Sequence, residues 1–355
     1  MRLQKYYLTL ASPLFCHILV ILRQDTFLYA MYKFRFSLLV LLLALTSSLS
    51  AQHTDTISIS HCTTIDQTLS ARLDARARRL LADTARHIRA IEAILTRIDN
   101  AQVLAWPSYQ RWGQNIRPQS RQRKAATGAL MLLPTASMAM TKTQTAPTDS
   151  VNVGNGVLEV GNPPVKLRDH NWRTGGSGMI TYADAVTTHS VIGYFRLLEK
   201  IFDADVAADL ITQPTMGNAN VSLSFYNVVY GSLYNGGHPY VPNLNGETTT
   251  QQVSLQYDEA TRQLARTLIK GRSGYLLRRS PAAQENMLML SAQMAAGADD
   301  RQMGIPYAFE GVALFPADAP QYCLSVRVKT DSRHPWSSII CEAIHLLVKA
   351  VEGGE

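Results

Sequence analysis

Cysteine is scarce, and nothing in the sequence arranges it for a metal or a disulfide framework. The chain has four cysteines. No Cys-x-x-Cys and no His-Glu-x-x-His occurs, so no metal site is legible, and no cofactor motif is found. His53, His61, His87, His170 and His238 are scattered and read as surface or hydrogen-bonded polar residues. Charge is also sparse, at 17% against 46% hydrophobic residues, which excludes a disordered chain and leaves enough apolar material for a core. The formal net charge of +7 is concentrated at the start. Arg2, Lys5, Arg23, Lys33 and Arg35 face only Asp25 in the first 51 residues, so 34 basic and 27 acidic residues fall to 29 and 26 beyond them, a balance of +3. That balance is too weak to argue for nucleic acid. A basic concentration remains between Arg72 and Lys124. It reads as a solvated helix face, with an anionic surface as the other reading.

The N-terminal stretch is organised for targeting. Met31 to Arg35 is a short basic segment, Phe36 to Leu45 is an apolar run, and Ser48 to Ala51 offers small residues for cleavage. This is the pattern of a secretory signal. A signal begins at a chain start, so residues 1–30 read as an over-extended gene start, 31–51 as the signal peptide, and 52–355 as the mature domain. The other reading makes Tyr7 to Leu22 a first membrane span, although Pro13 and His17 interrupt it and it is short. With Cys16 in the discarded stretch, Cys62, Cys323 and Cys341 remain, which allows one disulfide and one free thiol. The expected location is periplasmic or exported, with membrane contact only through an uncleaved signal segment.

Along the mature chain, residues 52–66 alternate like a strand and end in Thr63-Thr64-Ile65-Asp66. Leu69, Leu73, Ala77, Leu80 and Leu81 predict a helix from about Leu69 to His87. Ile88 to Trp106 reads as a hairpin turning at Asp99-Asn100, Pro107 to Lys124 as a surface loop, and Thr127 to Met140 as a buried helix. Ile180 to Lys200 carries the marks of one helix, with Thr181 able to cap it and Asp184 three residues on. Gln256 to Lys270 reads as a helix with Gly271 and Gly274 at its end. Cys323, Ser325 and Arg327 alternate with Leu324, Val326 and Val328 like a sheet strand with one face inward, and Ile339 to Val351 reads as a closing helix.

This order resembles the transpeptidase domain of penicillin-binding proteins over nearly the whole mature chain, without their separate N-terminal pedestal domain. The resemblance is carried by Thr63 to Asp66, by the helix and hairpin after it, and by Lys166-Leu-Arg-Asp-His-Asn171 with the glycine-rich turn at Gly175, Gly176 and Gly178. It continues in Ile180-Thr-Tyr-Ala-Asp-Ala185, in Asn220 to Gly237, which resembles the family's helix ending in a glycine turn, and in Gly311-Val-Ala-Leu-Phe-Pro-Ala-Asp-Ala-Pro-Gln-Tyr322, which resembles the family's last hairpin. It implies an α+β fold: an antiparallel sheet made by the two hairpins, covered by the first and last helices, with a mostly helical lobe from Thr127 to about Leu290 on the other side.

The family's chemistry needs Ser-x-x-Lys, Ser-x-Asn and Lys-Thr-Gly, which supply nucleophile, proton transfer and carboxylate recognition. At the matching positions this sequence has Ala129 and Leu132, then His189-Ser190-Val191, then Gln293, Met294 and Ala295. Alanine cannot be acylated and leucine cannot take a proton. Ser150-Val151-Asn152 is a literal Ser-x-Asn outside the motif's place and reads as chance. A relocated dyad of His189 and Ser190 is the alternative enzyme reading. The expectation is therefore a non-catalytic relative of the peptidoglycan D,D-transpeptidases with no catalytic, cofactor-binding or metal-binding residues. Its expected partners are peptidoglycan or cell-wall and division proteins. A divergent active transpeptidase or carboxypeptidase is the alternative, and a decaying gene a further one.

Overall fold

In the computed structural model, the first element follows directly from the heptad-like spacing of leucines. Helix α1 (Gln67–Ala82) buries Leu69, Leu73, Ala77, Leu80 and Leu81 on one stripe. It stops five residues earlier than expected. Asp83 accepts a hydrogen bond from the Ala85 N–H to start a 3-10 turn, and His87 then takes a left-handed conformation at φ 57°. The structure describes residues 67–121, 125–126, 129–212, 220–244, 257–278, 286–295, 297–332 and 336–353. The readings placed on residues 1–66, including the signal and the Thr63–Asp66 strand end, lie outside them, as do Thr127, Gly128 and Gln256.

The first hairpin is as expected, with β1 (Ile88–Arg97) paired to β2 (Val103–Ala105). Asn100 Oδ1 accepts from the Gln102 N–H at 3.0 Å to close its turn. The next stretch corrects the surface-loop expectation. β3 (Ser108–Trp112) and β4 (Asn115–Pro118) form a second hairpin, and β3 is buried up to Arg111. Its polar letters conceal a core strand because Tyr109 packs beneath α1, its hydroxyl donating to Asp74 at 2.9 Å. Arg78 covers its ring at 4.5 Å.

β5 (Ala125–Ala126) precedes a 3-10 turn at Ala129–Met131 and helix α2 (Leu132–Thr143). Two small two-stranded sheets follow, β6 (Ser150–Gly154) with β9 (Gly178–Thr181) and, between them in the chain, β7 (Val157–Val160) with β8 (Val165–Arg168). The single helix expected over Ile180–Lys200 is instead two. Thr181 does cap α3 (Tyr182–Thr188), accepting from the Asp184 N–H at 3.0 Å. His189 then turns left-handed, at φ 56°, and α4 (Val191–Leu198) starts anew at Ser190. The lobe continues through α5 (Ala204–Thr212), β10 (Asn220–Val221, paired with β5), α6 (Leu223–Ser232) and α7 (Glu259–Leu277). α7 runs straight through Gly271 and Gly274, against expectation. Its side packs along the next strand, and Ser273 Oγ accepts from the Met289 N–H at 2.7 Å. Such packing outweighs the cost of about 1 kcal/mol per helical glycine. β11 (Leu288–Ala295), α8 (Ala298–Gln302), β12 (Tyr307–Phe315), β13 (Tyr322–Thr330) and α9 (Trp336–Glu352) complete the chain.

The main sheet is antiparallel, in the order β11-β12-β13-β1-β3-β4, with β2 also paired to β1. Period-two alternation divides its side chains between two cores. Ile91, Leu95, Phe309, Leu324 and Val326 meet α1 and α9. Ile94, Val312, Leu314 and Cys323 meet the helical lobe. The α+β layering expected from the sequence is thus present. Cys323 and Cys341 are both buried free thiols, and burial pushes their pKa values up, that of Cys341 to about 11.

The lobe-facing side of the sheet also holds a buried ionic cluster. Arg327 donates to Glu310 Oε1 at 2.8 and 2.6 Å, and its other terminal nitrogen lies 3.7 Å from Glu92. Tyr226 of α6 donates to Glu310 Oε2 at 2.6 Å, and Trp106 Nε1 donates to Glu92 at 3.2 Å. Burial alone would lower the Arg327 pKa, but Glu310 and Glu92 outweigh it and hold the guanidinium above its ordinary value.

Candidate functional site

The three stretches singled out in the sequence fall on elements that are mutual neighbours. The turn carrying Ala129 lies against β11, which carries Gln293, Met294 and Ala295. α2, which begins at Leu132, packs on α4 and α7, and α7 touches both α3 and β11. The joint His189–Val191 sits between α3 and α4. The elements therefore converge as expected, and the side chains determine what they can do.

Leu132 is half-buried at the head of α2 and offers no proton acceptor. Gln293 is exposed and Met294 is buried at the end of β11, where Met294 continues the alternation of Leu290 and Ala292. The segment that fills the third position therefore presents an amide and a thioether, with neither a cation nor a hydroxyl. Ala295 closes the ladder opposite Tyr307. Ser150 and Asn152 lie on β6, opposite Thr181 and Met179, and the Asn152 side chain accepts from the Gly154 N–H at 2.9 Å. That is a turn contact, in keeping with the chance reading.

The second position is the most informative. His189 occupies the left-handed joint, and its backbone N–H closes α3 on Ala185 and Val186. Its ring meets Tyr194 edge-on at 6.5 Å. Burial, and after it the charge of Arg272, push the imidazole pKa down to about 3, so the ring is neutral at ordinary pH. Arg272, itself buried, donates to the carbonyl of Thr187 and braces the end of α3. Ser190 faces elsewhere. Its hydroxyl donates to Asp169 Oδ2 at 2.7 Å and accepts from the Gly193 N–H at 2.9 Å, while Asp169 Oδ1 accepts from the Ile192 N–H at 3.1 Å. Ser190 and Asp169 are 2% and 3% exposed, so this is a closed helix cap and not an open hydroxyl. No hydrogen bond joins Ser190 to the His189 ring among the described contacts, and the dyad that sequence adjacency offers is not assembled.

Two glycines make this corner possible. A Cβ on Gly193 would stand 2.5 Å from the Cβ of Ala185, so α3 and α4 meet only over a glycine. At φ 74°, a Cβ on Gly176 would stand 2.2 Å from the carbonyl carbon of Asn155, which ties the glycine-rich turn onto the Gly154–Gly156 turn. The role of Asp169 was invisible to sequence reasoning beyond its place in Lys166–Asn171. Its partner lies 21 residues on and is brought close only by the fold. Among the described residues no group of three or more His, Cys, Asp or Glu side chains could hold a metal. No helix among them is long and apolar enough to cross a membrane.

Comparison with known proteins gives the fold a precedent. The structure is similar to the transpeptidase domain of Burkholderia pseudomallei penicillin-binding protein 3, with a TM-score of 0.60 and 14% identity, covering 80% of this chain and 93% of that one. It is similar to a peptidoglycan glycosyltransferase from Burkholderia ambifaria, with a TM-score of 0.59 and 14% identity over 81% and 95% of the two chains. The D,D-transpeptidase domain of a peptidoglycan glycosyltransferase from Eggerthella lenta matches with a TM-score of 0.55 and 13% identity, over 79% and 81%. No protein-family model and no curated protein matches the chain. The chain has a penicillin-binding transpeptidase-like fold.

Proposed function

We propose that, on this transpeptidase-like fold, the protein is an exported, catalytically degenerate homologue of the peptidoglycan D,D-transpeptidases. It serves as a binding or scaffolding module in cell-wall synthesis or division. Its partners are peptidoglycan or proteins of those machineries, and its place is the periplasm, anchored to the inner membrane where the N-terminal segment is left uncleaved. One observation carries this reading: no position that the resemblance assigns to chemistry holds the residue which that chemistry uses, while the elements bearing those positions still lie together. Ala129 lacks a nucleophile, Leu132 a base, and Gln293-Met294-Ala295 a cation and a hydroxyl. Ser190, the one hydroxyl kept at the second position, is committed to Asp169 and Gly193. Loss of the nucleophile alone typically costs such enzymes about a millionfold in rate.

The test is the intact mass of the purified protein before and after incubation with excess benzylpenicillin. The expected outcome is no added mass. A stoichiometric penicilloyl adduct would overturn the reading, and peptide mapping would then name the serine responsible.

A further inference from the structure

A cavity of about 320 Å³ opens where α1, α9 and the turn joining β12 to β13 meet. Leu69, Phe315, Tyr322 and Val351 line it with apolar surface, and Arg72 and Glu352 line it with charge. Phe315 and Tyr322 are partners across the β12–β13 ladder, with ring centroids 5.4 Å apart, and form its aromatic side. Leu69 and Phe315 belong to the core beneath α1 and α9, so these walls are fixed by the fold.

The two charges are the unusual part. Just beyond α1, Arg86 pairs with Glu342 of α9, and within α1 Asp74 is engaged by the Tyr109 hydroxyl. At the cavity, neither Arg72 nor Glu352 takes part in an ion pair or a hydrogen bond among the described residues. Yet Arg72 Nη1 lies 3.5 Å from where a Cβ on Gly353 would stand, so the cation reaches the residue next to Glu352. Both side chains are exposed.

Each charge also stands where its own helix disfavours it. Glu352 ends α9, at the negative end of the helix dipole. Arg72 lies in the second turn of α1, and a long helical side chain leans back toward the positive N-terminal end. Side chain and helix end therefore favour the same ligand polarity, an anion beside Arg72 and a cation beside Glu352.

We infer that this cavity binds a zwitterion with an apolar body, an α-amino acid with an aliphatic side chain. Its carboxylate meets Arg72, its ammonium meets Glu352, and its side chain lies against Leu69, Phe315 and Tyr322. A volume of about 320 Å³ is at the lower end for ligand sites, which suits one amino acid better than a longer peptide. The approach of Arg72 to Gly353 suits the short span between carboxylate and ammonium on one α-carbon. The cavity opens on the α1–α9 side of the sheet, whereas α2, α3 and α4 pack on the other, so it stands or falls independently of the function proposed above.

The experiment titrates the full chain with racemic leucine, followed by saturation-transfer NMR on the leucine methyl groups. Leucinamide, which lacks the carboxylate, and N-acetylleucine, which lacks the ammonium, are titrated alongside. The expected result is saturable binding of leucine, roughly fivefold weaker for each derivative, the share of one exposed charge pair. Arg72→Gln should erase the preference for leucine over leucinamide and keep the preference over N-acetylleucine. Glu352→Gln should do the reverse. Both substitutions are on exposed residues, and the crossed pattern gives each variant an internal control that a general loss of structure would not reproduce. No saturable binding of leucine, equal binding of the three ligands, or preferences that both variants leave intact would overturn the inference.

Discussion

Two buried polar clusters lie in the lobe-side half of the molecule and solve the same problem differently. In the sheet, Arg327 stands between Glu310 and Glu92, and Tyr226 and Trp106 complete their hydrogen bonds. At the α3–α4 corner, Asp169 has no cation partner among the described ion pairs. It is held by the Ser190 hydroxyl and the Ile192 N–H at the start of a helix. The first cluster compensates charge with charge. The second compensates it with oriented N–H and O–H groups at the positive end of α4. Both are closed, with their polar atoms hydrogen-bonded inside the protein.

The comparison ranks the consequences of breaking each cluster. Arg327→Met leaves two carboxylates buried without their cation and should cost about 3–5 kcal/mol in urea unfolding. Replacing Glu92 and Glu310 by Gln in the same chain should recover much of that loss. If Arg327→Met alone is near neutral, the cluster is not the charge-compensated unit described.

Asp169→Ala should cost less, about 2 kcal/mol, because it strands one hydroxyl and one helix N–H in place of two ions. Ser190→Ala should cost about 1 kcal/mol, in the range of an N-cap lost. An Asp169 effect as large as that of Arg327 would erase the distinction between the two kinds of compensation.

The smallest effect concerns His189 and depends on pH. Its folded pKa, about 3, lies below the unfolded value of 6.5. The unfolded chain therefore binds the proton first. The stability contributed by the neutral ring is present above pH 6.5 and is lost as pH falls from 6.5 towards 3. The slope is at most about 1.4 kcal/mol per pH unit and is reduced by solvent reaching the partly exposed ring. His189→Asn keeps a side chain that tolerates the left-handed joint. Its melting temperature should fall less than that of wild type between pH 7 and pH 5. Parallel curves for the two proteins would remove His189 from the account of this corner.

Much of the fold was legible because it is written in local periodicity. The stripe of Leu69, Leu73, Ala77, Leu80 and Leu81, the turn at Asp99-Asn100, and the alternation through Cys323, Ser325 and Arg327 each specify an element and a face. β3 escaped because Ser108, Tyr109, Gln110 and Arg111 look like a loop. Only the roof provided by α1 makes a buried strand of them. α7 was cut short at Gly271 because propensity is local, whereas its support comes from β11. The break at His189 escaped because the helical pattern on either side is continuous. A single left-handed residue leaves no periodic trace.

At the candidate site the division follows the same line. The absence of a nucleophile at position 129, of a base at 132, and of a cation and hydroxyl at 293–295 is a matter of residue identity, which the sequence states outright. What Ser190 does is not. A hydroxyl can be a nucleophile or a cap, and the choice was made by Asp169, brought from 21 residues away to within 2.7 Å. Residue identity and periodicity travel with the chain. Hydrogen-bond partners and shared faces come from the pairing and packing of distant segments, which only the folded chain brings together.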